Sequence, residues 1–274
     1  MKKSIKLKIS HFVVDIFLIF VILLCTLPFL YMILMSLKST VNAYDISLNF
    51  SSMSLRHYKK IFSDPTFIRY FSNSVFVAVA GVLLTLFTSC TAGYAFAKLN
   101  FKGNDRIFFL LLLTMLVPSE VILVPLYLLV RGFGWVNTFR ALILPLPTAF
   151  GVFVMRNAIM AVPTELIESA QIDGASNFKI LRSVILPLVK SAMLTVAIFT
   201  FIGAWNNFTW PLIITTNKAY RTLPIALTSM KTQYDSDIGL TMACAVVTFL
   251  PPFIFYLLLQ SKFEEGMALS GLKG

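Results

Sequence analysis

The sequence predicts an all-α integral membrane protein: one domain of six transmembrane helices, with a helical hairpin between the fourth and fifth. Three observations carry this. The 274 residues are 58% hydrophobic and 13% charged, with a mean hydropathy of +0.83, whereas a soluble domain is about half apolar and roughly a quarter charged. Six stretches each supply the ~20 apolar helical residues that cross a hydrocarbon core of ~30 Å. Those stretches are continuously apolar rather than alternating, which excludes a β-barrel.

The first stretch, near 12–36, follows Lys2, Lys3, Lys6 and Lys8. It is longer than the about 7–15 residues of a signal-peptide core and lacks a small-x-small cleavage site, so it reads as a retained helix. The others lie near 71–97, 107–130, 139–160, 186–214 and 238–260. Pro and Gly interrupt several of them, as in "LVPSEVILVP" and "LPLPTAFG". Membrane helices tolerate these where neighbours satisfy the freed backbone groups. Trp135, Trp205 and Trp210 fall near proposed outer ends, where indole favours the interface.

Charge orients the bundle. The N-terminal lysines have no acid among them, and Lys98, Lys102 and Arg106 sit in the short loop after the second stretch. Both segments are expected in the cytoplasm, and six spans return the C-terminus, with Lys262 and Lys273, to the same side. Lys38, Arg56, Lys59, Lys60 and Arg69 fall in the first outer segment and count less, because that segment is longer. No repeat, low-complexity tract or soluble appendage is visible.

The net charge of +11 reads as loop charge facing headgroups and water. No aromatic-plus-basic nucleic-acid motif accompanies it. Cys25, Cys90 and Cys244 each lie in an apolar run and form no metal motif. His11 and His57 have no ligand-type neighbour at metal spacing. There is no G-x-x-x-x-G-K-[ST] phosphate loop, so the chain is not a conventional P-loop ATPase. His clusters, paired carboxylates and Ser/His/Asp sets are likewise missing, which argues against a membrane-embedded enzyme.

Residues 162–187, "VPTELIESAQIDGASNFKILRSVILP", are polar and patterned. Pro163 suits a first helical turn, and Glu165 and Glu168 suit the N-terminal end of its dipole. Leu166, Ile167 and Ala170 recur at helical spacing. Asp173, Gly174 and Ala175 break the run, with Gly174 free to take positive φ. Ser176 suits an N-cap. Phe178, Leu181 and Ile185 then form a second apolar stripe. The spacing predicts helix 163–172, a turn at Gly174 and helix 177–185. Neither glutamate has a basic partner three or four residues later in its helix. Such a hairpin is either a surface element facing water or a docking element for a soluble partner.

The segment "ELIESAQIDGASNFKILRSVILPL" resembles the EAA loop of ABC importer permeases. Glu168, Ser169 and Ala170 stand at the EAA positions, Gly174 at the glycine, and Ile185 and Pro187 at the closing I-x-LP. Ser169 replaces the first alanine, and the hydrophobic position before the LP pair is shifted by one. "LVPSEVILVPLYLLVRGFGWVNT" (116–138), "GAWNNFTWPL" (203–212) and "FEEGMALSGLKG" (263–274) are similar to the MalG-type permeases of the sugar-importer branch. That branch often has an acid after the WN pair, where this chain has Asn207.

The resemblance implies a MetI-like permease fold in a bacterial cytoplasmic membrane. It implies a second permease, two copies of an ABC ATPase and an extracytoplasmic solute-binding protein as partners. The chain itself would bind no cofactor, with ATP hydrolysed by the ATPase. It also implies that the hairpin is the coupling helix. Glu165, Glu168, Asp173 and Phe178 would then belong to the docking loop. Gly174 would make the turn, Ser169, Ala170 and Ala175 would allow close approach to the ATPase, and Pro187 would lead into the fifth span.

Polar residues inside the apolar stretches are few. Glu120, beside Pro118 and Ser119, fits a structural hydrogen bond at a helix break or a functional charge. Asn206 and Asn207 fit contact with a neighbouring helix or with a solute. A secondary transporter or channel is the alternative class, but one acid and no repeat match it poorly. The cargo stays open among disaccharides, oligosaccharides, sugar phosphates and polyols.

Overall fold

The computed structural model describes residues 2–38, 53–233 and 237–271. The stretch 39–52 of the first outer segment, and Lys273 with the end of the tail motif, lie outside the described residues. The architecture is helical. In chain order the α-helices are α1 Lys2–Ser36, α2 Arg56–Ser63, α3 Pro65–Lys98, α4 Asn104–Leu113, α5 Ser119–Gly132, α6 Phe139–Ile143 and α7 Ala149–Met160. Then come α8 Thr164–Ile172, α9 Asn177–Ile180, α10 Leu186–Leu188, α11 Lys190–Asn206, α12 Thr209–Ile214, α13 Leu223–Gln233 and α14 Ile238–Gly271. Among the described residues the strand-like pairing is one isolated bridge, Lys38 to Met53.

Three segments are single helices long and apolar enough to cross a membrane: Val14–Ser36, Pro65–Lys98 and Ile238–Gln260. Three helix pairs reach that length only across a sharp bend: Asn104–Leu116 with Ser119–Gly132 (105°), Ala149–Met160 with Thr164–Ile172 (79°), and Asn177–Leu188 with Lys190–Asn206 (84°). By length and composition alone, counting each bent pair as one span gives up to six among the described residues, two of the pairs drawing on Thr164–Ile172 and Asn177–Leu188, which hold the hairpin. The breaks have chemical causes. Pro118 has no N–H to donate and follows the short 3-10 turn Thr114–Leu116. Pro187 removes the bond to the Ser183 carbonyl, and the chain just before it widens into a π-helical turn, Leu181–Ile185.

The chain forms two compact units. In the first, residues 1–68 with 227–249, Met35, Ile61 and Phe67 are buried. Buried His57 donates Nε2–H to the Lys38 carbonyl at 3.0 Å, and its Nδ1 lies 3.8 Å from Asp237 Oδ1. A carbonyl only accepts, so the tautomer is fixed by that bond. Ser36 Oγ and Tyr58 Oη are 2.7 Å apart. This histidine is a strap between segments.

The second unit holds residues 69–226 with 250–274 and contains two apolar clusters. One joins Val77, Val130, Ala141, Leu142, Trp210 and Ile214. Trp210 donates its indole N–H to the buried Ala141 carbonyl at 2.8 Å. Trp205 is 1% exposed and packs on Phe71 and Phe201. Both tryptophans, expected at an outer interface, are core residues instead, because they fill the space where the chain bends after Asn206. Asn137 takes φ +59 and ties the turn after α5 to the end of α12 through Thr216 and the Asn217 N–H. The second cluster seats the hairpin.

Candidate functional site

The hairpin is built from local rules. Helix α8 begins at Thr164, so Pro163 is the residue before the helix rather than inside it. Helix α8 ends in a Schellman motif: Ala175 N–H bonds the Ala170 carbonyl and Gly174 N–H bonds the Gln171 carbonyl, both at 2.9 Å. That motif needs a left-handed residue, and Gly174 has φ +74. Asp173 is the exposed C-cap residue. Ser176 then caps α9, its Oγ accepting from Lys179 N–H at 3.4 Å.

One side of the hairpin is fixed. Ile167, Ile180, Leu181 and Ile185 are buried in a cluster with Cys90, Tyr94, Met155 and Ile159. Each such aliphatic contributes about 1.5–3 kcal/mol when withdrawn from water. Polar ties reinforce the seat: Lys98 Nζ donates to the Val162 carbonyl at 2.7 Å and Tyr94 Oη to Asn177 Oδ1 at 3.3 Å. Ala170 and Ala175 also pack against this cluster. Both are half-buried, and their small side chains let the hairpin lie close on its own bundle.

The other side is open. Glu165, Glu168 and Ser169 are exposed, and neither glutamate forms an ion pair among the described residues. Ser169 Oγ is spent on the Glu165 carbonyl at 2.8 Å. Leu166, Ile172 (86% exposed) and Phe178 (65% exposed) add apolar surface. Phe178 shares its stripe with Leu181 and Ile185 but is exposed where they are buried, because Ile180 takes the buried position. Sequence spacing passed over Ile172, which falls off the apolar stripe and is visible only once the Schellman turn is placed. Pro187 is exposed at the start of the fifth span.

The intramembrane polar residues sit at breaks. Glu120 lies in the first turn of α5, after Pro118, and accepts from Ser119 Oγ at 3.0 Å. The bond is local to the helix break, and the side chain is exposed. Asn206 is exposed at the end of α11. Asn207 Oδ1 accepts from Trp210 N–H at 3.3 Å across the break into α12. Pro211 lies four residues after Asn207, where its ring opposes a continuous helix.

A family described as "Binding-protein-dependent transport system inner membrane component" matches residues 89–268. The chain belongs to this family. It is therefore the non-catalytic permease subunit of a binding-protein-dependent ABC transport system, a component of the inner membrane. The permease is 32% identical over 261 residues to the arabinooligosaccharides transport system permease protein AraQ of Halalkalibacterium halodurans, covering 93% of this chain and 94% of that one. It is 32% identical to the trehalose/maltose transport system permease protein MalG of Thermococcus litoralis, covering 92% and 93%. Its fold matches a chain of a bacterial ABC transporter involved in the import of the acidic polysaccharide alginate, with TM-score 0.84, 22% identity and coverage of 93% and 97%. The family match, residues 89–268, spans the hairpin and the breaks around α5 and α12 alike.

Proposed function

We propose that the permease forms the import pathway for a sugar together with a second permease, and that a separate ATPase, present in two copies, drives it through the hairpin. The observation that carries this reading is the two-sided hairpin: Ile167, Ile180, Leu181 and Ile185 lock one face to the bundle, while Leu166, Ile172, Phe178, Glu165 and Glu168 offer the other. A lever needs both, a rigid attachment to what it moves and a face for what moves it. The acids suit a basic patch on the ATPase, and the aromatic and aliphatic side chains suit a cleft. The relatives named for arabinooligosaccharide and trehalose/maltose transport support a sugar cargo. The family description supports an extracytoplasmic binding protein as the delivering partner.

Phe178→Ser and Ile172→Ser test the docking face. Both side chains are largely exposed, so the fold loses little. Each variant is expected to reduce ATPase copurification about tenfold or more, the scale of a central anchor. Recovery of the ATPase at the unsubstituted level in both would overturn the reading.

The proposed orientation places the hairpin and both termini in the cytoplasm. Lys218, in a 3-10 turn between α12 and α13, then faces outward. A reporter fused at Lys218 is expected to be active only in its external form; cytoplasmic activity there reverses the topology.

A further inference from the structure

Three breaks in the helices of the second unit converge on one cavity. They are Thr114–Pro118 between α4 and α5, Leu144–Thr148 between α6 and α7, and Asn207–Phe208 between α11 and α12. All three contribute to a cavity of about 580 Å³ walled by Thr114, Thr148, Asn207 and Trp210 among others. A second cavity of about 280 Å³ shares Thr148, Phe150 and Asn207 with it. Irregular backbone survives at membrane depth only where protein buries it or where it lines a water-filled space. Three such breaks meet at this one hollow, whose mostly apolar wall carries Thr114, Ser119, Thr148 and Asn207 as its polar residues, an arrangement compatible with the second case.

The wall has uncommitted polar atoms. Thr148 occupies the N-cap position of α7, yet its side chain makes no capping bond. Asn207 spends Oδ1 on the Trp210 N–H, which leaves Nδ2 a donor without a partner among the described residues. Phe150 and Phe199 meet edge to face at 5.4 Å and give the wall an aromatic surface. None of the described lining residues of either cavity is charged. Glu120 follows the lining residue Ser119 but is not itself part of the wall.

We propose that this hollow is the chain's own share of the transport pathway, and that Asn207 sets its selectivity for uncharged, polyhydroxylated solutes. The inference rests on the reading of the chain as a pathway-forming permease. An amide donor, the Thr148 hydroxyl and aromatic faces match a neutral sugar ring. An ionised solute would leave water here without a counter-charge from this wall. An aspartate at 207 keeps the capping oxygen for Trp210 N–H but replaces the Nδ2 donor with negative charge. It therefore changes selectivity without removing the cap.

The test uses the transporter assembled with its partner subunits, in a background where Cys25, Cys90 and Cys244 are replaced. Thr148→Cys is exposed to two water-soluble thiol reagents of similar size, a cationic trimethylammonium-ethyl and an anionic sulfonato-ethyl methanethiosulfonate. Both are expected to label it, and Lys218→Cys serves as the accessible control. Adding Asn207→Asp is expected to raise the cation-to-anion rate ratio about tenfold, the scale of one charge a few ångströms away at a partly screened site. Thr148→Cys left unlabelled while Lys218→Cys reacts overturns the pathway, and an unchanged ratio overturns the role of Asn207. Persistent ATP-driven uptake alongside failed labelling sinks this inference and leaves the importer reading intact. Labelling as expected without any ATP-driven uptake overturns the importer reading and, with it, this inference.

Discussion

Gly174→Val is expected to abolish ATP-driven uptake while the chain still inserts in the membrane. Gly174 has φ +74, and no described atom lies within 4 Å of the position a Cβ would take. The cost is therefore conformational rather than steric. A non-glycine residue in the left-handed region costs roughly 1–2 kcal/mol, and a β-branched one more. The chain can relieve it only by giving up the bonds from Gly174 and Ala175 N–H to Gln171 and Ala170. Losing them turns α9 relative to α8 and so displaces the exposed Phe178 relative to the exposed residues of α8. Gly174→Asn separates this cause from others, because asparagine tolerates the left-handed region. Its uptake is expected to stay within a few-fold of normal. The comparison is made by uptake into membrane vesicles and by ATPase copurification, and normal values for both in the valine variant would defeat the lever.

The parts of the hairpin that local chemistry decides were readable in the sequence. Gly174 and the Ser176 cap follow from neighbours within four residues, and they stand where the spacing places them. What depends on the rest of the bundle was not readable. Phe178 and Ile180 are two residues apart and both apolar, and only the cluster around Cys90 and Met155 decides that Ile180 turns inward. Ala170 and Ala175 likewise approach a surface formed by segments distant in sequence. Trp205 and Trp210 look like interface anchors until the break at Asn207 brings them inside. Pro211 was a local signal for that break, set four residues beyond it. For Asn207 the sequence left neighbouring helix and solute both open, and the structure gives its two side-chain atoms different roles: Oδ1 spans the break, while Nδ2 is left over.

Gly93→Val is expected to destroy the seat on which the hairpin rests. A Cβ at Gly93 would lie 2.8 Å from Met155 Cβ, 3.0 Å from Arg156 N and 3.1 Å from the Met155 carbonyl carbon. Two of these are backbone atoms, so α3 and α7 cannot accommodate it by rotating a side chain. Overpacking of a tight core costs about 1–3 kcal/mol where side chains can adjust, and here the helices themselves must part. Met155 belongs to the same cluster as Ile167, Ile180 and Ile185, so the parting moves the floor beneath α8 and α9. The adjacent Arg156 holds its guanidinium 4.1 Å over the Phe108 ring, and that contact with α4 is strained as well. The expected result is a large fall in detergent-extracted, monodisperse protein, with ATPase recovery falling in step. Gly132→Ala provides the contrast: no described atom lies within 4 Å of its Cβ position, and it should behave as the unsubstituted chain. If the Gly93→Val protein were equally abundant, equally stable to heating and still bound to its ATPase, the close approach of α3 and α7 would carry no weight in holding the hairpin. The two glycines thus predict opposite phenotypes from one hairpin: Gly174→Val leaves a stable chain that cannot transmit, and Gly93→Val removes the chain before transmission can be measured.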